Sequence, residues 1–316
     1  MEIYKGVHQI QSLYGSRNLF QYLFVGDNVV LVDTGVAETP QKAIFPYLDA
    51  IEVDLQRLTM TVITHPDVDH QGGNSAIKAA ATRALLACGE ADRRMVEDPR
   101  ALFKLRYNFA RDEHGVGFDS DEPLPDAGQR QTIDIGFTGG EKIHVGEGWD
   151  LDVLHVPGHS RGHLALYDAT HKAAFVSDAI HGRGCPNADG SLGIPVTYYF
   201  IDTYLSTLRY LENLAIDALY SGHWPIMRGE QVRDFIAESR QTVEMIDRVI
   251  LGSLTRNRGG RSLKELIDEV ANAVGDWPKE TWFLATFPVK GHLERLEQQN
   301  TIRMISGAGY PKWQIS

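Results

Sequence analysis

The spacing of apolar and polar residues changes several times along the chain, and each change marks an element. Residues 18–35, NLFQYLFVGDNVVLVDTG, are rich in β-branched and aromatic residues and are broken once, at Gly26-Asp27-Asn28. That pattern predicts two strands joined as a hairpin. Residues 39–51 place Ala43, Ile44, Tyr47 and Leu48 on one helical face. LTMTVITH (58–65) is a short apolar run of the kind that forms a buried strand, and Asn74 to Leu85 reads as a helix with Asn74 as N-cap. Strands resume over 141–156, turning at Gly146-Glu147-Gly148, and over 164–178, turning near Ala169-Thr170. A Gly/Pro-rich loop from His181 to about Pro195 follows, then a helix over Asp202–Leu214 and a strand at ALYSGH (218–223).

Two stretches depart from this alternation. Residues 90–140 hold a helical piece at Ala101–Arg111 and then a polar, Gly/Pro/Asp-rich run, which predicts a cap over the site. After Pro225 the pattern becomes helical. Val232, Phe235, Ile236, Val243, Ile246, Val249 and Ile250 share a face. Ser262 and Glu265 have the spacing of a capping box. A short helix at Val289–Gln298 and a β-pair from Thr301 to Gln314 complete a winged-helix-like module. The expected division is 1–225 for the main domain, with the cap inserted at about 90–140, and 226–316 for the helical module.

Composition narrows the function. A chain of 316 residues with 43% hydrophobic and 23% charged residues suits a folded globular protein. No apolar run approaches a membrane span, and the N-terminus does not read as a signal peptide. Two cysteines, Cys88 and Cys185, exclude a disulfide framework and a cysteine-based zinc site, and fit a reducing cytoplasm. The net charge of −11 is uneven. Residues 226–316 carry 13 Lys/Arg against 12 Asp/Glu, and residues 1–225 carry 18 against 30. A basic nucleic-acid binder is therefore disfavoured. Only Arg256, Arg258 and Arg261 form a basic cluster.

The candidate chemistry lies just after predicted strands, where α/β scaffolds place functional loops. The segments are Asp33-Thr34-Gly35, His65-Pro66-Asp67-Val68-Asp69-His70, Pro157-Gly158-His159, Asp178, and Gly222-His223. Imidazoles and carboxylates are ligands for divalent ions. In an extended segment, residues two apart point the same way, so His65 and Asp67 can address one ion. Asp69 and His70, where the chain turns into a helix, can address a second. His155 and His163 flank Pro157-Gly158-His159 as packed or orienting residues, and His181 can face a substrate.

Taken in order, these segments resemble the metallo-β-lactamase superfamily over roughly residues 5–225. The family motif His-x-His-x-Asp-His is matched by Thr64–Gly73, THPDVDHQGG, with Asp67 in place of the second histidine. The resemblance implies an αββα fold, two mixed sheets between helices. It implies a first metal on His65, Asp67 and His159, a second on Asp69, His70 and His223, and Asp178 bridging them with a hydroxide. Asp33 would orient a ligand. Asp67 makes the set one charge more negative than the usual one, which favours manganese or iron as competitors to zinc.

The function implied is hydrolysis of an ester, thioester or lactone by a dinuclear centre, on a small-molecule substrate, in the cytoplasm and away from membranes. Asp69 doubles as a proton acceptor when the second site is empty. A homodimer stays open. Two alternatives share the fold: a phosphodiesterase or ribonuclease, which wants a basic track to the metals, and a mononuclear iron oxygenase of the persulfide dioxygenase type, which lacks a second site. Flavodiiron chemistry needs a flavodoxin domain that this chain lacks, and the exported antibiotic-cleaving enzymes carry a leader.

Overall fold

Strict alternation of side chains builds the centre of the molecule. The computed structural model describes residues 1–120, 122–306 and 309–316. Its first sheet has seven strands in sequence order. They are β1 (Glu2–Tyr4), β2 (Val7–Tyr14), β3 (Arg17–Val25), β4 (Val29–Val32), β5 (Leu58–Ile63), β6 (Leu85–Gly89) and β7 (Ile135–Phe137). Strands β1 to β4 pair antiparallel, and β4 to β7 are parallel. The second sheet contains β8 (Lys142–Gly146), β9 (Trp149–His155), β10 (Leu164–Asp168) and β11 (Ala173–Ser177). After a small ribbon of β12 (Cys185–Pro186) and β13 (Leu192–Ile194), β14 (Ala218–Ser221) and β15 (Met227–Arg228) complete it, in the order β15-β14-β11-β10-β9-β8.

On β3, Phe20, Tyr22 and Phe24 face the other sheet, while Leu23 faces out. On β4, Val30 and Val32 face in, and Val29 and Leu31 out. On β10, Leu164 and Leu166 face in, and Ala165 and Tyr167 out. This period of two buries both faces of each sheet. The inner faces meet each other, and the outer faces are covered by helices, giving the expected αββα sandwich. Ile44, Leu48 and Ile77 cover the first sheet, and Leu208, Leu211 and Phe235 cover the second.

Three elements differ from expectation. The helix from Asn74 ends at Ala80, and Leu85–Gly89 is β6, paired in parallel with β5. Six-residue apolar runs have no decisive period, so ALLACG reads equally as a helix end or a strand. The 39–51 helix opens with a wide turn over Pro40–Ile44 before a regular helix over Phe45–Ala50. Within 90–140, short helices at 93–97, 99–102 and 111–114 and a wide turn at 103–107 form the cap, while β7 belongs to the first sheet. Asp121, within the cap, lies outside the described residues.

After Pro225, helices run over Glu230–Arg256, Leu263–Val274 and Thr286–Gln298. The Ser262–Glu265 capping box forms in full. The β-pair β17 (Ile302–Ile305) and β18 (Lys312–Ile315) is present, joined by β16 (Arg261–Ser262); Gly307 and Ala308, between them, lie outside the described residues. One apolar cluster runs from Val176, Tyr198 and Leu208 to Phe235, Ile250, Leu266 and Trp313, across the boundary expected near 226. Arg256 and Arg261 pair with Glu265 and Glu269. Among the described residues, no helix is long and apolar enough to cross a membrane.

Candidate metal centre

The ends of β4, β5, β11 and β14 converge on one edge of the sandwich, and the loops leaving them bring the polar residues together. Asp33 follows β4, His65 follows β5, and Asp67 precedes a single helical turn, Val68–Gln71, that carries Asp69 and His70. His159 lies in the loop after β9, Asp178 directly after β11, and His223 two residues after β14. Three overlapping groups of donor atoms each fall within 4.8 Å: His65, His159 and His163; His65, His70 and Asp178; and Asp69, His70 and His223.

One half of this cluster is open toward a cation. His223 Nε2 is 3.4 Å from Asp69 Oδ2, 3.4 Å from Asp178 Oδ2 and 3.3 Å from His70 Nε2. His70 Nε2 is 3.8 Å from Asp178 Oδ2. The opposite ring nitrogens are tied back. His70 Nδ1 donates to Asp33 Oδ2 at 2.9 Å, and His223 Nδ1 donates to the Asn18 carbonyl at 2.7 Å. Such bonds fix the ring orientation and leave Nε2 as the ligating atom. Asp178 Oδ1 is buried with no hydrogen-bond partner among the described residues. Burial disfavours a charge on His70, but Asp178, Asp33 and Asp69 outweigh it and push its pKa up to about 9. The donors Asp69, His70, Asp178 and His223 therefore fit a divalent ion: two carboxylates and two oriented imidazoles in a buried pocket, with Arg17 on Asp69 as its one guanidinium.

The other half is already furnished with a cation. Arg106, from the cap, reaches Asp67 with two parallel bonds, Nε to Oδ1 at 2.5 Å and Nη2 to Oδ2 at 2.9 Å. The same Nη2 lies 2.9 Å from His159 Nε2, and Nη1 donates to the His159 carbonyl at 2.9 Å. Tyr107 Oη adds a bond to Asp67 Oδ1 at 3.0 Å. Burial would raise the Asp67 pKa, yet Arg106 and His159 hold it well below the carboxylate range. His65 Nε2 is left without a partner among the described residues, 3.7 Å from Asp67 Oδ2.

All eight residues singled out by sequence meet here. Several that were not singled out as site residues meet them. His163 stacks on His65, ring centres 4.7 Å apart, and His181 Nε2 lies 3.1 Å from His159 Nδ1. Arg17 lies 3.8 Å from Asp69. Arg106 carried no signal of its own, since LFKLRYNF also holds Lys104 and Asn108. Of the aromatics near the site, Tyr198 is core, Tyr199 bonds Glu294, and Phe103 and Tyr107 cap the site.

A cavity of about 120 Å³ opens on the metal-fitting half, lined by Asp69, Asp178, His223 and Arg17 under Tyr107 and Phe283. A larger one, about 400 Å³, lies on the far side of Arg106 and touches none of the four donors. Gly222 sits against the site: a Cβ there would lie 2.6 Å from Asp178 Oδ1 and 2.7 Å from His70 Cε1. Gly222→Ala is expected to displace both ligands and weaken metal binding by roughly 10–100-fold, with the fold retained. Competition titration of zinc against a chromogenic chelator checks this, and an unchanged affinity would contradict it.

Comparison with known proteins gives the family and the fold. Residues 19–223 match the family model described as the metallo-beta-lactamase superfamily. A hydroxyacylglutathione hydrolase of Cereibacter sphaeroides is 27% identical over 205 residues, 64% of this chain and 62% of that protein. An acyl-coenzyme A thioesterase, MBLAC2, of Gallus gallus is 25% identical over 192 residues, 56% of this chain and 60% of that protein. The chain spans between half and two thirds of the length of these curated relatives. Among solved structures, a metallo-beta-lactamase family protein from Thermus thermophilus, TTHA1429, superposes with a TM-score of 0.74 at 19% identity, covering 99% of this chain and all of that one. A beta-lactamase domain protein from Burkholderia ambifaria reaches 0.77 at 17% identity, covering this whole chain and 93% of that one. With a family model matching well over half of its length, the chain belongs to the metallo-beta-lactamase superfamily.

Proposed function

We propose that the protein is a metal-dependent hydrolase of small acyl substrates, with a thioester first and an ester or lactone next. One observation carries this reading: Asp69, His70, Asp178 and His223 converge on one point at the floor of a small aromatic-walled cavity. A divalent ion there would supply Lewis acidity and a bound water acidic enough to ionise near neutral pH. The chain does the rest. Asp33 and the Asn18 carbonyl hold the two imidazoles in the ligating tautomer. Asp69, at the cavity wall, would hold the ion through one oxygen and take with the other the proton released as water attacks the acyl carbon, passing it to the thiolate as the C–S bond breaks. Arg17, 3.8 Å from Asp69, stabilises negative charge developing on the substrate oxygen. Tyr107, Phe118 and Phe283 exclude bulk water. The relatives named as a hydroxyacylglutathione hydrolase and an acyl-coenzyme A thioesterase support a thioester over a phosphodiester. The glutamate pairing of Arg256 and Arg261 weakens a nucleic-acid reading further.

Purified protein, with and without chelator, should be assayed on an acylglutathione, a short acyl-coenzyme A, a nitrophenyl ester, a lactone and a bis-nitrophenyl phosphate. Thioester hydrolysis lost on chelation and restored by zinc or manganese is the expected result. Turnover confined to the phosphodiester, or insensitive to chelation, would sink the reading.

A further inference from the structure

We propose that the Arg106 guanidinium is the resident cation of the half-site formed by His65, Asp67 and His159, so that the protein takes one divalent ion, at Asp69, His70, Asp178 and His223, and not two. The inference rests on reading the cluster as a metal centre, and is independent of the substrate class.

The lone pairs decide it. An ionised carboxylate offers about four acceptor positions. Asp67 has three donors facing them, Arg106 Nε and Tyr107 Oη on Oδ1 and Arg106 Nη2 on Oδ2, and His159 Nε2 also stands 2.9 Å from Oδ2. His159 is equally committed. Its Nε2 faces Arg106 and Asp67, and its Nδ1 faces His181 Nε2 at 3.1 Å and Thr197 Oγ1 at 3.3 Å. Asp67 Oδ2, His159 Nε2 and Arg106 Nη2 stand 2.9 Å from one another, each pair at hydrogen-bonding distance. Two ligands of one tetrahedral zinc sit about 3.4 Å apart, with the ion about 2.0–2.2 Å from each. Nη2 already stands against Asp67 Oδ2 and His159 Nε2, the two atoms such an ion would need, and leaves only His65 Nε2 unmet.

Arg106 is also built in, not folded over from the surface. It is buried, its Nη1 is held by the His159 carbonyl, and its planar head lies 4.9 Å from the Phe287 ring centre on the C-terminal helix 286–298. Three separate parts of the chain fix it. Charge points the same way. Arg106 neutralises Asp67 in this half, while three carboxylates, Asp69, Asp178 and Asp33, face only one guanidinium, Arg17, in the other. A guanidinium binds a carboxylate through two parallel bonds, which an imidazole cannot accept. This gives a reason for Asp67 at a position where the family motif has histidine: the carboxylate is Arg106's partner.

Metal content tests this without any substrate. Wild-type protein saturated with zinc and dialysed should hold one zinc per chain by elemental analysis and native mass spectrometry. Arg106→Ala should take up a second, its affinity rising on the order of 100-fold over any second binding to wild type. Because burying Asp67 without a partner can unfold the chain, the double variant Arg106→Ala/Asp67→His provides the same test with the family histidine restored, and it should also hold two. Two zinc ions of comparable affinity on wild type would overturn the proposal. So would a single zinc on either variant whose circular dichroism and melting show it folded. A wild-type protein that binds no metal would overturn both the metal-centre reading and the proposal. Failure of every hydrolase assay beside a one-to-two change in zinc would overturn only the proposed reaction.

Discussion

Asp178→Asn should leave the fold intact and remove most of the chemistry. Asp178 is the carboxylate between the two imidazoles that face the cavity, 3.4 Å from His223 Nε2 and 3.8 Å from His70 Nε2. Burial works to raise its pKa, but His223 and His70 outweigh burial and hold it ionised. Asparagine has the same shape without the charge, and its amide nitrogen has no lone pair for an ion. The site loses one of its two negative ligands, which leaves less to offset the cost of dehydrating a divalent cation. Zinc affinity should fall by at least about 100-fold. A bound ion would contribute several kcal/mol of charge stabilisation to the transition state, so kcat/KM should fall on the order of 1,000-fold at limiting metal. Metal-free stability should fall without unfolding the chain, because the change takes a buried carboxylate away from His70 and His223. A variant that keeps one tight zinc and a tenth of wild-type activity would remove Asp178 from the centre.

The cluster was legible because chemistry of this kind calls for residue types, imidazoles and carboxylates after strand ends, that few other roles demand. His65, Asp69, His70, His159, Asp178 and His223 each follow a strand in one chain order, and the fold brings them to one sheet edge. Asp33 was legible for the same reason, since its loop sits between β4 and the motif. What escaped was anything decided by packing at long range. Arg106 is 39 positions from Asp67, and its direction depends on how the cap folds over Phe287. An arginine beside Leu105 and Tyr107 looks like any amphipathic helix position. His163 could be read as a packed or orienting residue, but its stacking on His65 depends on where β10 starts. The capping box shows the opposite case. Ser262 and Glu265 satisfy each other within four residues, so local chemistry alone predicts it. Strand β16, two residues long, offers no period to read.

Asp33 separates the stability of the motif loop from its metal chemistry, and two substitutions read the two roles apart. Its backbone is left-handed, at φ 60°. Asparagine and aspartate tolerate that conformation, whereas alanine pays roughly 1–2 kcal/mol for it. Its carboxylate accepts from the Thr64 amide at 2.8 Å, from Thr64 Oγ1, from Ser177 Oγ at 3.1 Å and from His70 Nδ1 at 2.9 Å. Asp33→Ala strands these buried donors, each at a cost of about 1–3 kcal/mol before relaxation. The sum, roughly 5 kcal/mol or more, rivals the net stability of a typical domain. The alanine variant is therefore expected to be largely unfolded or insoluble. Asp33→Asn keeps the backbone and one oxygen for Thr64, so denaturant unfolding should show a loss of only about 1–2 kcal/mol. Its amide nitrogen, however, presents a donor to His70 Nδ1. The favoured tautomer of His70 then carries its proton on Nε2, the atom aimed into the site. Zinc affinity should fall about 10–100-fold in a protein that still folds. An Asp33→Ala protein within about 1 kcal/mol of wild type would show that water replaces these bonds. An Asp33→Asn protein with wild-type zinc affinity would show that the His70 tautomer is set by Ser177 Oγ, 3.2 Å from the same nitrogen.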